Sequence, residues 1–237
     1  LIGVGQGISS PALTSTVNYS SAYMSENPVG TIYQPGFRLT GEYDRNNGEG
    51  YGGELGYGQG VWGVAAGYYS RKCDRCEGRV AGALGVDISG LALGIRFEKD
   101  VQTLGVLINP QGTHRVGLMA EVNKRSSNTS NVTAYGGGYS YVDSSFTFSL
   151  DASSRTYEGN ANDKRILITP GLMLRADIFQ VSVNDKITLN RDKNDSSQRS
   201  GEDHDFWGGL GIGGESFHLA VYGNYVNEVA LAASLFF

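Results

Sequence analysis

Hydrophobic and polar positions alternate along most of this chain with a period of two residues. Near the C-terminus Val229, Leu231 and Leu235 share one face of an extended segment, and Ala232 and Ser234 share the other. Successive side chains of a strand point to opposite faces, so the pattern predicts strands with one apolar face and one small or polar face. No stretch of comparable length prefers the helical period, and glycine is too frequent for helices.

The alternation extends over most of the chain, and turn residues divide it into segments. The connections between the segments alternate between short turns and longer polar loops, which is the plan of an up-and-down barrel with two unlike rims. We therefore predict an all-β, antiparallel transmembrane β-barrel of about 14 strands, with 12 or 16 strands as alternatives. The predicted strands are 36–45, 50–58, 61–70, 79–88, 90–98, 101–108, 113–123, 131–141, 144–153, 164–174, 177–190, 204–212, 215–224 and 227–237.

A soluble β-sandwich or barrel would show the same alternation, because only the surroundings of the two faces differ. Three features favour a membrane. The polar faces are rich in Gly, Ala and Ser, aromatic residues such as Tyr43 and Phe97 lie near strand ends, and strands of about nine to eleven residues suit a tilted crossing. Composition agrees: glycine contributes 35 of 237 residues, and charged residues only 18%.

The net charge of −5 gives no basic surface for nucleic acid. The predicted location is the bacterial outer membrane, with membrane lipid and lipopolysaccharide as partners. Leu231, Leu235 and Phe237 form a pattern similar to the assembly signal of bacterial outer-membrane proteins, which implies the outer-membrane assembly machinery as a further partner. Homo-oligomers are compatible with the pattern, but their number is not determined by it.

Residues 1–35 interrupt the alternation, since small and polar residues dominate there. The run from Ser25 to Tyr43 resembles the approach to the first strand in the long-chain fatty acid transporter family, with Asn27 and Pro28 as in that family and Val29 in place of its alanine. The resemblance implies an N-terminal hatch in the lumen over 1–35 and a barrel over 36–237, although the chain is much shorter than typical members. A flexible tail, or an extra edge strand at 12–24, is the alternative.

Charged residues fall mainly on the polar faces, where lipid would not meet them. These inward positions are the candidate determinants of selectivity in the lumen. Asp185 is an exception that the alternation places outward, so we expect a bulge there or a position above the membrane. The candidate lumen residues are Arg38, Glu42, Glu54, Arg96, Glu98, Arg115, Glu121, Arg165 and His218.

Cys73 and Cys76 form a C-x-x-C pair within a predicted loop. A second pair or nearby histidines, which a zinc site would need, are absent from the sequence around it, so a local disulfide clamping an outer loop is the prediction. We predict no metal site and no cofactor. We also predict no enzyme, because the sequence does not pair His218 with a nucleophile and an orienting acid.

The predicted function is an outer-membrane channel for the passive passage of small solutes, including hydrophobic ones, narrowed or gated by the hatch. The alternative is a non-conducting structural barrel that organises lipid or self-associates. A Gly/Ala-rich patch at Ala134, Gly136 and Gly138 would support self-association if it faced outward.

Overall fold

A computed structural model describes residues 27–32, 36–44, 50–71, 78–124, 132–157, 164–190, 202–214, 216–224 and 229–237. These residues form fourteen strands and a short 3₁₀ helix, Pro28–Ile32. The strands are β1 (Gly36–Asp44), β2 (Gly50–Gly58), β3 (Trp62–Arg71), β4 (Arg79–Ile88), β5 (Leu91–Glu98), β6 (Val101–Ile108), β7 (His114–Asn123), β8 (Val132–Val142), β9 (Phe146–Tyr157), β10 (Lys164–Ala176), β11 (Phe179–Asn190), β12 (Glu202–Gly213), β13 (Phe217–Asn224) and β14 (Val229–Phe236).

Every strand pairs antiparallel with its neighbours in sequence, and β1 closes the ring by pairing with β14. At the seam the Phe37 amide donates to the Phe237 carbonyl over 3.0 Å, and the Phe237 amide donates to the Phe37 carbonyl over 2.9 Å. The predicted fourteen-stranded barrel is confirmed. Predicted and observed strand ends agree within about two residues except in β9, which extends to Tyr157 instead of 153.

The barrel is apolar outside and polar inside. On β14, Leu231 and Leu235 are 48% and 46% exposed, whereas the inward Ala232 and Ser234 are 6% and 1% exposed. This arrangement is the inverse of that in a soluble protein, and it places apolar side chains in contact with lipid. None of the described residues forms a helix long and apolar enough to cross a membrane.

Exposed aromatic side chains form two bands around the outside. One band lies beside the short turns and the other lies toward the opposite rim, as expected for the two interfaces of a bilayer. The first band includes Phe37, Trp62, Phe146, Phe179 and Phe217, and the second includes Tyr43, Tyr51, Tyr68, Phe97, Tyr135 and Phe206.

The structure decides two points about the outer face that the sequence left open. Ala134 is buried and shares the inward face of β8 with the half-buried Gly136 and Gly138, while Tyr135 between them is exposed on the outer face. The register of β11 with β12 runs without a bulge through Asp185, which stays outward. Asp185 lies opposite Phe206 of the second aromatic band, so it sits at interfacial depth.

Because the outer face of the barrel is apolar, the free-energy cost of an outward-facing charge should depend strongly on its depth in the membrane. Leu118 lies in the middle of β7 and is 49% exposed, so Leu118→Arg should lower the free energy of unfolding by about 2–4 kcal/mol. The matched control is Val61→Arg at a short turn, where the cost should be about 0–1 kcal/mol. Urea unfolding in lipid vesicles measures both, and equal losses would contradict the assigned membrane depth.

Candidate functional site: the lumen

Residues 27–32, called the inner segment below, lie inside the barrel against β2 to β6. Asn27 organises the segment, since its side-chain oxygen accepts from the Val29 amide over 3.2 Å and its carbonyl accepts from the Gly30 amide over 3.0 Å. All six residues are buried. Val29 and Ile32 have no exposed surface and pack with Ala92 and Leu107 of the barrel wall.

A row of glycines provides the surface on which the inner segment lies. Gly63, Gly85, Gly94 and Gly105 are aligned by the registers of β3 to β6 and face the lumen. A Cβ atom on Gly94 would lie 2.5 Å from the Val29 nitrogen, and one on Gly85 would lie 2.8 Å from the Ile32 side chain. Cβ atoms on Gly63 and Gly105 would overlap Thr31 and Asn27. The row therefore lets the inner segment approach the wall at backbone distance.

The inner segment places two predicted hatch residues, Asn27 and Pro28, in the lumen beside the short-turn rim. The Gly60 amide in a short turn donates to the Ile32 carbonyl over 3.2 Å, which holds the segment at that rim. The rest of the predicted hatch, residues 1–26 and 33–35, lies outside the described residues, so its extent stays a prediction.

Two buried ion pairs line the wall of β1 to β7. The Arg38 guanidinium donates to Glu54, and the Tyr69 hydroxyl donates to the same carboxylate over 3.3 Å. Arg96 lies 3.1 Å from Glu121, with both side chains at most 6% exposed. Removing one partner of such a pair lowers the stability of the fold, because the charge that remains buried loses its counter-charge.

A third ion pair lies near the rim opposite the short turns, where Arg79 Nη1 is 2.7 Å from Glu98 Oε1. Arg115 points inward on β7 and donates from Nε to the Gly112 carbonyl over 3.0 Å. Of the other predicted lumen residues, Glu42 and Arg165 belong to β1 and β10, but their side chains lie outside the described part of the structure, as do Cys73 and Cys76.

The wall of β11 to β13 holds a polar cluster that sequence reasoning missed. Trp207 is 1% exposed and donates from Nε1 to Asp205 over 2.8 Å. Asn224 donates to the same carboxylate over 2.9 Å, and the Lys186 ammonium lies 4.8 Å from the Trp207 ring centroid. Alternation in β12 placed Trp207 on the face of Asp205, but it could not show which side chains of β11 and β13 would meet there.

Rings on this wall lie close against glycines of the neighbouring strand. Tyr222 covers Gly209, and His218 covers Gly211 and Gly213. A Cβ atom on Gly211 would lie 3.3 Å from His218 Cε1. Glycine on β12 thus allows rings into a lumen that would otherwise be crowded, which explains part of the high glycine content.

Charge is unevenly distributed along the lumen. Among the described side chains, the two inward positions nearest the short turns on each strand carry three guanidinium groups, on Arg38, Arg115 and Arg175, and one carboxylate, on Asp87. The other inward side chains that the structure describes include more acids than bases. The acids are Glu54, Glu98, Glu121, Asp151 and Asp205, and the bases are Arg79, Arg96 and Lys186. The short-turn end of the lumen is therefore the more basic end.

An apolar groove of about 860 Å³ crosses the outer face of β11, β12, β13, β14 and β1. It runs between two outward rows of side chains, one including Phe179 and Leu219 and the other Val181 and Leu231. Gly41 lies along the groove, and a Cβ atom there would meet nothing within 4 Å. The groove lies at the depth of the apolar belt.

Comparison with known proteins supports the fold. No family model matches the chain, and no curated protein matches it in sequence. Among solved structures, the CymD monoaromatic hydrocarbon channel matches over 100% of this chain and 98% of its own, with a TM-score of 0.67 and 11% identity. Omp33 of Acinetobacter baumannii matches over 86% of this chain and 99% of its own, with a TM-score of 0.50 and 10% identity.

The fold is that of bacterial outer-membrane barrels. The prediction of a barrel in a lipid environment in the bacterial outer membrane is thus confirmed. The identities are low, so the likeness concerns architecture and transfers no residue roles. Leu231, Leu235 and Phe237 lie exposed on or beside β14, and their recognition by assembly machinery stays a prediction.

Removing one partner of a buried ion pair should destabilise the barrel. Glu54→Gln removes the carboxylate that pairs with Arg38, whose side chain is 3% exposed, and should cost about 3–5 kcal/mol in urea unfolding. Adding Arg38→Met should restore most of that loss. Glu98→Gln is the control and should cost at most about 1 kcal/mol, because the Arg79 side chain is 35% exposed. Equal losses for both pairs would contradict the assignment.

Proposed function

We propose that this protein is a passive outer-membrane channel whose lumen is narrowed by the inner segment. The observation that carries the proposal is the close fit of residues 27–32 onto the glycines of β3 to β6. A structural wall has no need of four aligned glycines, each of which costs stability in a strand. The glycine row is evidence for a surface on which a removable segment rests. This agrees with the hatch that the sequence resemblance implies.

The lumen lining supports passage of small polar or charged solutes. Hydroxyl, amide and charged side chains cover the inward faces, including Thr40, Ser149 and Asn184. No bond needs to be made or broken in this mechanism. The charges on the wall would admit or repel solutes according to their sign, as in other selective pores.

A second candidate function is the passage of a hydrophobic solute by a lateral route. The apolar outer groove supports it, and the name of the structurally similar CymD refers to a monoaromatic hydrocarbon. In this alternative the solute would contact the groove around Gly41 instead of the length of the polar lumen.

Dislodging the inner segment should open the channel. Gly94→Ala and Gly105→Ala place a methyl group against Val29 and Asn27, so each should raise single-channel conductance in planar bilayers several-fold over the wild type. The matched control is Gly208→Ala, because a Cβ atom there meets nothing within 4 Å and its conductance should stay at the wild-type level.

Heat-modifiable migration in detergent gels would verify that each variant keeps a folded barrel. Folded glycine variants that conduct no better than wild type would contradict the proposed plug. If neither wild type nor variants conduct at all, the non-conducting structural barrel becomes the better description.

The lateral route has its own test. Gly41→Leu places an apolar side chain in the groove, at a position where a Cβ atom meets nothing within 4 Å, and should reduce uptake of toluene by a Gram-negative host that displays the chain in its outer membrane. Gly208→Leu, outside the groove, is the control and should leave uptake unchanged. Unchanged uptake in the Gly41→Leu variant would remove the support for this route.

A further inference from the structure

His218 occupies an unusual position at the short-turn end of the lumen. It is the second residue of β13, it is 8% exposed, and its ring lies over Gly211 and Gly213. Nε2 lies 3.4 Å from Gln180 Oε1, while Nδ1 is buried with no hydrogen-bond partner. A buried polar atom without a partner is unfavourable, so a ligand that hydrogen-bonds to Nδ1 would be favoured.

A basic group and an amide lie beside the His218 ring. Arg175 of β10 is paired directly with Gln180 of β11, and it is close enough to His218 to interact with it electrostatically. The neighbouring strands contribute Gly211 and Gly213 from β12 and Ser234 from β14. At the two inward positions nearest the short turns, the described side chains of β10 to β14 include no carboxylate.

We propose that Arg175, Gln180 and His218 form a binding site for a small carboxylate at the short-turn mouth of the lumen. This inference rests on the proposed channel function and names the class of solute that its inner mouth holds. A guanidinium presents paired N–H donors that match the two oxygens of a carboxylate. In outer-membrane barrels the short turns face the periplasm, so the site stands where a solute leaves the lumen.

Protonation of His218 completes the site. With Nε2–H donating to Gln180 Oε1, the neutral ring has a bare acceptor at Nδ1. Uptake of one proton from water gives Nδ1 a hydrogen to donate to the carboxylate, and the bound anion offsets the new positive charge. Carboxylate binding should therefore take up a proton and strengthen as the pH falls from about 8 to about 5.5.

Solution NMR of the full-length chain in detergent micelles tests the site without requiring conduction. The chain has three histidines, and the other two, His114 and His204, are exposed. Titration with sodium acetate against sodium chloride of equal ionic strength should shift the His218 Cε1–H signal saturably. The signals of His114 and His204 should stay in place.

Variants distinguish a local binding site from the general electrostatic field at the short-turn end of the lumen. Arg175→Gln should weaken the acetate response of His218 about tenfold or more, and Arg175→Lys should weaken it less. Arg115→Gln, on the far side of the same end of the lumen, should leave the response within about twofold. A His218 signal that does not move in a folded barrel, or that moves equally in Arg175→Gln, would overturn the proposal.

Conductance then distinguishes the two proposals. In the Gly94→Ala variant, acetate should reduce the current carried by chloride, and more strongly at about pH 5.5 than at about pH 8. Adding His218→Gln should remove the pH dependence. If the NMR response is present but no variant conducts, the site stands and the channel fails. If the channel conducts but acetate does not shift the His218 signal, the channel stands and the carboxylate site fails.

Discussion

Every peptide group in the membrane-spanning strands must find its hydrogen-bond partner within the protein, because lipid supplies none. The closed ladder from β1 through β14 meets that requirement, and the reciprocal bonds between Phe37 and Phe237 complete it at the seam. Closure has a second consequence. Fourteen strands enclose a lumen wider than eight strands would, so its interior cannot be filled by wall side chains of ordinary size alone.

Glycine is the means by which the wall accommodates what lies inside. On β3 to β6 it admits the backbone of residues 27–32, and on β12 it admits the rings of Tyr222 and His218. The same residue type therefore serves two kinds of contact on opposite walls. An alanine would be tolerated at Gly208, where space is open, and not at Gly94, so local surroundings and not composition decide what each glycine does.

The charges of the lumen are compensated in a graded manner. Arg38 with Glu54 forms a buried pair between the neighbouring strands β1 and β2, and Arg96 with Glu121 forms one that reaches across β6 from β5 to β7, while Arg79 with Glu98 remains partly exposed. At the short-turn end, Arg175 donates to the Asp143 carbonyl and is paired with Gln180 in the register of β10 and β11, and His218 lies against Gly211, Gly213 and Gln180. The wall thus combines structural pairs with a basic mouth, which is where an electrostatic preference would act on a solute.

Period-two alternation divided by turn residues was sufficient to predict the strand count. It also predicted the inward face of Glu54, Arg96 and Glu121 and the apolar outer surface, because a residue's face depends only on its parity within the strand. It could not reveal that Gly63, Gly85, Gly94 and Gly105 form one row, since alignment across strands depends on the register of each pair. Nor could it bring Asp205 to Asn224 and Lys186 to Trp207, or His218 to Gln180 and Arg175. Those contacts join strands through turns and closure, and only the tertiary structure decides them.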